Sequence, residues 1–501
     1  MPDSPALSNN HSKVLYLGAV LTLTLFCLWP VWALEFPPLQ DYPQHLFLAH
    51  VNATYSNPAY NWPQYYLADL KFGPYALFYL LVAGLDKIMP ITIAGKLYLS
   101  LYISLLSGLA CVLLKKTRSG NPPWASLLLF PLAFHQMYFM GFTNFLLSVP
   151  ILIFALLDHQ RLVSGPPAVS AFLRQAVLVL LLLLCHPYTI LVYICLAGTN
   201  AILPEANTLR RKAAFIPPLA TACFFGIWYV WALPGNQGKM PLVWWPWRET
   251  LHYYLLMFTG MRWNNGINWP TFAAWIAAGA IVLFGVARSI KAGISFPKRM
   301  ALAFALATAG FFVLPFWAGQ YSYFSLRMAP ISYLLAAILA GYCTLSRRAG
   351  LCLACIAALL IIQSASMQAA ISDETAVVKP LVQRMAPNAT LLPITFQTES
   401  AILDSHFFPE AHSHDYFYYH LLVGGGASPN LFPSPMLPVR FKPGVNLPKA
   451  THDFSWQEHG SKYDYILTRG APVEFPPFIK RYATLVSQSG DWLLFKNERK
   501  K

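Results

Sequence analysis

Residues 14–45 read VLYLGAVLTLTLFCLWPVWALEFPPLQDYPQH, and this stretch changes from apolar to polar at Glu35. The residues from Val14 to Leu34 carry no charged side chain, and a helix of about 17–25 such residues crosses a bilayer. Glu35-Phe-Pro-Pro38 then stands where a cleaved signal peptide would have small residues. We therefore expect a retained membrane helix that ends just before Glu35.

The whole chain has the composition of a membrane protein. Of its 501 residues, 56% are apolar and 11% are charged, whereas a soluble domain carries about a quarter charged residues. Apolar runs long enough to cross a bilayer recur along the first three quarters of the chain, for example Ala213–Leu233, Thr271–Ala287, Ala301–Ala318 and Leu351–Ala370. The predicted fold class is an α-helical polytopic membrane domain followed by a small α/β domain.

The net charge of +15 does not indicate a nucleic-acid partner. Much of the Lys and Arg lies in short segments between apolar runs, at Lys115–Arg118, Arg161, Arg210–Lys212, Arg288–Arg299 and Arg347–Arg348. Cytoplasmic loops of membrane proteins carry such an excess of basic residues. Placing every cluster inside predicts about eleven crossings of a bacterial inner membrane, with a cytoplasmic N-terminus and a periplasmic C-terminus.

This topology places residues 35–91 outside as a first outer loop. Within it, Pro74–Met89 is apolar but short, so we expect an interfacial or re-entrant helix, although a crossing stays open. The membrane domain is expected over residues 1–371 and a periplasmic domain over 372–501. All eight cysteines precede residue 372, which excludes a disulfide framework in that domain. Four strands are predicted there, at Thr390–Thr395, Tyr463–Thr468, Ala483–Ser487 and Asp491–Lys496.

Asp41 and His45 follow the first membrane helix directly and are the catalytic candidates. Asp41-x-x-Gln44 is also a capping-box pattern, so the carboxylate is expected either to cap a helix or to act as a general base. The two interpretations do not exclude each other.

Three arginines are candidate ligands of a phosphate, because a guanidinium can donate two parallel hydrogen bonds to it. Arg327 lies at the outer end of a late apolar run, where a plain interfacial anchor is the alternative. Arg248 and Arg262 lie in the Trp-rich outer loop 234–270 with His252, and aromatic belts at membrane surfaces explain such tryptophans equally well.

Further polar residues are expected to line a substrate cavity on the outer face. His135 and Asn144 flank a short outer turn, and His252 lies in the loop 234–270. His412 and His414 belong to the polar segment 406–420, which we expect close to the first outer loop. The H-x-H spacing suits one face of a strand. We expect no metal site, because zinc motifs use wider, paired spacings.

An acidic residue directly after the first helix, an arginine on a late helix and a C-terminal outer domain together resemble the GT-C-fold membrane glycosyltransferases. This superfamily includes the protein O-mannosyltransferases and the aminoarabinose transferases. The segments Leu39–His45 and Gly141–Phe145 are similar to a bacterial group of GT-C-like membrane proteins.

The resemblance implies an inverting transfer of a sugar from a polyprenyl-phosphate donor to a glycan, lipid or protein acceptor. It implies that Asp41 activates the acceptor hydroxyl and that Arg327 holds the donor phosphate. Two departures matter, because Tyr42 replaces the second acid of the mannosyltransferases and because His135 and Asn144 stand where metal-dependent members have acids. No cofactor is therefore expected. The alternatives are a transporter or flippase, or a non-catalytic glycan-binding component of an envelope pathway.

The predicted topology can be tested with a reporter that is active only in the cytoplasm. Fused after Lys501, it should give no signal, because the C-terminal domain is expected in the periplasm. The same reporter fused after Lys116 should be active and is the control. A strong signal after Lys501 would contradict the topology and every outer-face site that depends on it.

Overall fold

The computed structural model describes residues 5–116, 121–164, 168–198, 212–232, 241–257, 260–318, 322–432, 436–451 and 454–498. Helices dominate up to residue 382. The α-helices are α1 Pro5–Ala33, α2 Tyr42–Thr54, α3 Trp62–Tyr65, α4 Leu77–Asp86, α5 Ile91–Lys116, α6 Gln136–Phe139, α7 Thr143–Ser164, α8 Val169–Cys185, α9 Pro187–Ala197, α10 Ile216–Ala232, α11 Trp247–His252, α12 Trp269–Lys291, α13 Lys298–Val313, α14 Met328–Ala340, α15 Arg347–Ala376, α16 Lys379–Val382, α17 Tyr418–Leu422 and α18 Phe475–Ile479. Short 3-10 helices cover Trp124–Leu129, Pro131–Phe134, Ser325–Arg327, Asp415–Phe417 and Gly460–Lys462, and a π-helix covers Tyr253–Met257.

Five helices of the described chain are long and apolar enough to cross a membrane: Asn10–Ala33, Ile91–Lys116, Thr143–Val163, Trp269–Lys291 and Arg347–Val382. Five further apolar helices are shorter, at Leu77–Asp86, Val169–Cys185, Pro187–Ala197, Ile216–Ile227 and Ser325–Ala340. The number of crossings stays a prediction.

The first helix shows why the bundle suits lipid. On α1 the buried residues recur every three or four positions, at Tyr16, Val20, Leu23 and Cys27, and they face α5 and α15. Leu21 and other residues of the exposed face are apolar as well. A helix of a soluble protein would present polar residues on that face, so the exposed face of α1 is suited to contact with lipid.

The helix α4 forms within the first outer loop, where Pro74–Met89 was expected to be interfacial or re-entrant. Its ten residues Leu77–Asp86 reach only about 15 Å at 1.5 Å per residue, half of a hydrocarbon core of roughly 30 Å. It packs against α2 and α5.

The C-terminal domain contains a mixed four-stranded sheet. Its strands are β6 Leu391–Thr395, β8 Tyr465–Arg469, β9 Ala483–Ser489 and β10 Trp492–Asn497, in the order β6-β8-β10-β9. β6 is parallel to β8, whereas the other pairs are antiparallel. The four predicted strands are confirmed, and the turn between β9 and β10 contains Gly490 at a φ of +53°.

Short strands outside this sheet connect separate parts of the chain. Two of them tie the first outer loop to the C-terminal domain, because β1 Tyr66–Ala68 pairs with β7 Val439–Phe441. Asn61 adds two hydrogen bonds of 3.0 Å to Asn388. The remaining two-residue strands are β2 Leu242–Val243 with β5 Trp317–Ala318, and β3 Arg262–Trp263 with β4 Gly266–Ile267. The first outer loop and the C-terminal domain therefore form one wall over the end of the helical bundle.

Candidate active site

A cavity of about 970 Å³ lies between the helical bundle and the C-terminal domain. Four parts of the chain line it. The first outer loop contributes Asp41, the outer turn after α6 contributes Phe142, and the N-terminal end of α14 contributes Arg327. The C-terminal domain contributes His414. The volume suits a ligand of small to moderate size. Residues that are far apart in the sequence therefore line the same cavity.

The backbone around Asp41 is held by the outer turn that follows α6. The amide of Gln40 donates to the carbonyl of Phe139 at 2.9 Å, and the amide of Asp41 donates to the carbonyl of Met140 at 3.1 Å. The next residue, Gly141, has a φ of +76°. A Cβ added there would lie 2.9 Å from the backbone nitrogens of both Asp41 and Tyr42. This close approach explains the glycine in the segment Gly141–Phe145.

The interpretation of Asp41 as a side-chain helix cap is wrong. Asp41 stands at the N-cap of α2 and its carbonyl accepts from the amide of His45 at 3.1 Å. In the described first turn, however, no amide donates to its carboxylate. Gln44, which would complete a capping box, also makes no side-chain hydrogen bond within the described chain. The carboxylate faces the cavity instead.

The cavity changes the acidity of Asp41. Burial and, less strongly, the charge of Glu410 raise its pKa from 3.8 to about 8. The hydrogen bond from Gln40 and the positive charge of Arg327 act in the opposite direction but are weaker. An unperturbed aspartate would be fully ionised at neutral pH, whereas this one is mostly protonated.

Arg327 brings positive charge to the same cavity. Its side chain donates from Nη1 to the carbonyl of Ser322 at 2.9 Å, and its guanidinium lies 5.1 Å from the ring centroid of Phe142. Phe142 directly follows Gly141, so the turn that holds Asp41 also supports Arg327. Besides Asp41, the charge of Arg327 acts on Tyr323, whose pKa is raised to about 12 mainly by burial.

His45 lines the cavity one turn of α2 beyond Asp41. Its Nδ1 lies 2.7 Å from the hydroxyl of Tyr79, and its ring centroid lies 5.1 Å from that of Phe432. Burial and the neighbouring His414 lower its pKa to about 3, so the imidazole is neutral.

Asn144 has a positioning role outside the cavity. Its side-chain oxygen accepts from the amide of Phe78 and its nitrogen donates to the carbonyl of Tyr75. Tyr75 itself has a φ of +69° and lines the cavity. Asn144 therefore stabilises an uncommon backbone conformation that places a tyrosine in the site. His135, expected beside it, is buried and does not line the cavity formed by the described residues.

The C-terminal domain contributes His414, whose Nε2 lies 3.5 Å from Oδ1 of Asp41. This contact confirms that part of 406–420 lies near the first outer loop. The segment is not a strand, since it forms turns and the 3-10 helix Asp415–Phe417.

His412 consequently does not share a face with His414. It lies between the carboxylates of Asp415, at 2.7 Å, and Glu374, at 3.3 Å. Burial lowers its pKa, but the two carboxylates outweigh burial and raise the pKa to about 9. Because Glu374 belongs to α15, the charged His412 joins the C-terminal domain to the last long helix.

Three candidates of the outer loop 234–270 lie away from the cavity. Arg262 pairs with Asp404, and its Nη1 lies 3.3 Å from Nε2 of His252. His252 stacks on Phe407 at 5.7 Å. Arg248 is exposed and lies over the ring of Trp247. The first two contact the C-terminal domain, so the described structure gives them a role in domain association rather than a place at the cavity.

Several cavity residues were not identified from the sequence, among them Tyr75, Tyr188, Tyr323, Glu410 and Lys449. Tyr323 lies four residues before Arg327, and this spacing from a predicted site residue at the start of a helix could have identified it. The others come from separate elements and carry no local pattern.

No protein-family model matches the sequence, and no curated protein matches it. Among solved structures, the chain is similar to the crystal structure of ArnT from Cupriavidus metallidurans bound to undecaprenyl phosphate. The TM-score is 0.53 at 9% sequence identity, over 96% of this chain and 97% of that one. The same protein in the apo state gives a TM-score of 0.43 at 10% identity, over 98% and 99% of the two chains. The first likeness shows that the chain has the GT-C fold.

The close approach at Gly141 predicts a specific sensitivity. Gly141→Ala should lower the midpoint of thermal unfolding, because left-handed backbone costs an alanine roughly 1–2 kcal/mol and its Cβ would displace the backbone of Asp41. The control is Gly84→Ala in α4, where no described atom lies within 4 Å of the added Cβ. Both variants should be compared by thermal unfolding in detergent. A Gly141→Ala protein as stable as the control would refute the account of this turn.

Proposed function

We propose that the chain is a glycosyltransferase that moves a hexose or pentose from a polyprenyl-phosphate donor to an acceptor hydroxyl. Transfer takes place at the periplasmic face of the bacterial inner membrane, with inversion at the anomeric carbon. The observation that carries the proposal is that the carboxyl of Asp41 and the guanidinium of Arg327 face one cavity. Proton removal from an acceptor and stabilisation of a leaving phosphate need this combination.

The donor is assigned to the side of the cavity formed by the helical bundle. Leu191 of α9 and Phe225 of α10 line it there and provide apolar contacts for a prenyl chain. Arg327 lies at the polar end of this side and is proposed to bind the phosphate through paired N–H donors. Undecaprenyl phosphate is bound in the similar ArnT structure, which supports a lipid of this class.

The acceptor is assigned to the opposite side, under the C-terminal domain. There the wall contains polar residues such as Ser413 and Asn430, together with Lys449. A hydroxyl of the acceptor reaches Asp41, whose carboxylate, once it has lost its own proton, receives the proton of the hydroxyl while the oxygen attacks the anomeric carbon from the face opposite the phosphate. The bond between that carbon and the phosphate oxygen breaks, and Arg327 stabilises the charge that collects on the phosphate.

Binding and charge stabilisation by these side chains account for the reaction without a metal. Arg327 supplies the positive charge that a divalent cation supplies in other phosphate sites. We therefore propose a metal-independent enzyme, in which transfer persists in the presence of EDTA.

Asp41→Asn should lower transfer by roughly 10²–10⁴-fold, the usual contribution of a general base. Folding should survive, because in the described structure the Asp41 carboxylate caps no helix amide. The assay measures the release of undecaprenyl phosphate by reconstituted protein. The donors are a panel of undecaprenyl-phosphate hexoses and pentoses, and the acceptor is a bacterial envelope extract. Unchanged transfer would remove the catalytic assignment, and binding without transfer in the wild type would favour a flippase or a glycan-binding protein.

Arg327→Lys should affect a different quantity. Lysine keeps the charge but loses the planar pair of donors, so the main loss should be in donor affinity, measured as a rise of KM or of the dissociation constant for undecaprenyl phosphate. Arg248→Lys is the matched control, because Arg248 is exposed and lies away from the cavity. Equal donor affinity in the two variants would contradict the phosphate assignment.

A further inference from the structure

The histidines of the segment 406–420 differ in how their rings are held. His412 binds two carboxylates, and His420 lies 2.8 Å from the carbonyl of Gly425 and 3.1 Å from the hydroxyl of Ser428. The ring of His420 is therefore fixed by hydrogen bonds at both nitrogens, and that of His412 by a hydrogen bond at Nδ1 and an ion pair at Nε2, as expected of structural histidines. In His414, by contrast, Nδ1 is buried and has no hydrogen-bond partner among the described residues. Its Nε2 is directed at Asp41.

Aromatic rings hold the imidazole of His414 in this orientation. Its centroid lies 5.2 Å from that of Phe432 and 6.1 Å from that of Phe417. Phe432 also contacts His45, so the same ring packs against both cavity histidines. The imidazole of His414 is thus positioned by packing against these rings, and its Nε2 atom is directed towards Asp41.

His414 and Asp41 lie close together but do not form a hydrogen bond in the free protein. The structural histidines form contacts of 2.7–2.8 Å at Nδ1, whereas 3.5 Å from Nε2 of His414 to Oδ1 of Asp41 is longer than a normal hydrogen bond. Catalytic hydrogen bonds are often long in the free enzyme and shorten when substrate is bound. A small closing movement when substrate binds therefore brings the two groups within hydrogen-bond distance.

The charges around the pair place a proton on the carboxyl and leave the imidazole neutral. Burial and, less strongly, the charge of Lys449 lower the pKa of His414 to about 4. Asp41 faces Glu410 and Arg327 in addition, and its pKa is raised to about 8. His45 is neutral because its pKa is lowered to about 3. The tyrosines that interact electrostatically with Asp41, which are Tyr75, Tyr79 and Tyr323, have raised pKa values and are neutral as well. Between about pH 4 and pH 8 the pair thus holds one proton, on Asp41.

A protonated carboxyl cannot accept a second proton unless it loses the first. We propose that His414 is a positioning residue that accepts the proton from Oδ1 of Asp41 while Oδ2 takes the proton of the acceptor hydroxyl. This inference rests on the proposed transfer reaction. It makes the C-terminal domain part of the catalytic centre, since Asp41 acts at neutral pH only when that domain is in place.

The proton balance is complete without a further reactant. The acceptor O–H bond breaks, its oxygen binds the anomeric carbon, and the phosphate leaves with the electron pair of the broken C–O bond. Asp41 ends protonated on Oδ2 and His414 becomes an imidazolium. The imidazolium then releases one proton to solvent, which restores the starting pair.

The pH profile of transfer separates this role from a structural one. In the wild type, kcat should be nearly constant between about pH 5 and 8, because the one-proton state of the pair is the reacting state. In His414→Gln the amide keeps a polar contact but takes no proton, so Asp41 must ionise first. Its kcat should then fall about tenfold per pH unit below pH 8, be roughly 100-fold low at pH 6, and recover near pH 9. The KM for donor should stay unchanged.

His406→Gln, from the same segment but with an exposed side chain, is the control and should keep the wild-type profile. An equal loss in His414→Gln at pH 6 and pH 9, or a profile like that of the control, would overturn the inference. Thermal unfolding of His414→Gln shows whether this variant is stable. If it is not, the same pH profile is measured with His414→Asn. Failure of the proposed function is distinguishable, because it would show as an absence of transfer in the wild type or as full transfer in Asp41→Asn.

Discussion

The structure depends on a carboxyl group that is held in a buried cavity by backbone contacts rather than by its own side chain. The turn with Gly141 hydrogen-bonds to residues 40 and 41, and its lack of a Cβ allows the approach. Because the turn holds the backbone of Asp41, its carboxyl remains available to the cavity. Burial then raises its pKa, which turns an ordinary acid into a group that exchanges protons near neutral pH.

The C-terminal domain completes this environment rather than adding a separate unit. The pairing of β1 with β7, the ion pair of Arg262 with Asp404 and the buried His412 attach it to three different parts of the helical bundle and its loops. Each attachment lies outside the cavity. With the domain attached in this way, His414 and Glu410 line the cavity together with Asp41. The same domain therefore covers the site and changes the pKa of Asp41.

Helices and strands could be predicted from the sequence where a short stretch of residues carries the whole pattern. Apolar runs indicated the long apolar helices, and β-rich segments indicated all four strands of the sheet. The GT-C fold was expected from the resemblance carried by Asp41, Arg327 and the C-terminal domain. Asp41, His45, Arg327 and His414 were identified and share the cavity. The roles of Arg262 and His252 were not predictable, because Asp404 and Phe407 are more than 100 residues away. The capping pattern at Asp41 was also misleading, because the backbone of Gln40 and Asp41 is held by contacts with residues 139–141, which are distant in the sequence.

The central claim is that Asp41 and Arg327 act on a polyprenyl-phosphate sugar in this cavity. The most direct measurement is an experimental structure of the protein in lipid nanodiscs with undecaprenyl phosphate bound. The account predicts the phosphate within hydrogen-bond distance of the Arg327 guanidinium, about 3 Å, and the prenyl chain along Leu191 and Phe225. A phosphate bound beside Arg248, or at the opposite end of the helical bundle, would contradict it.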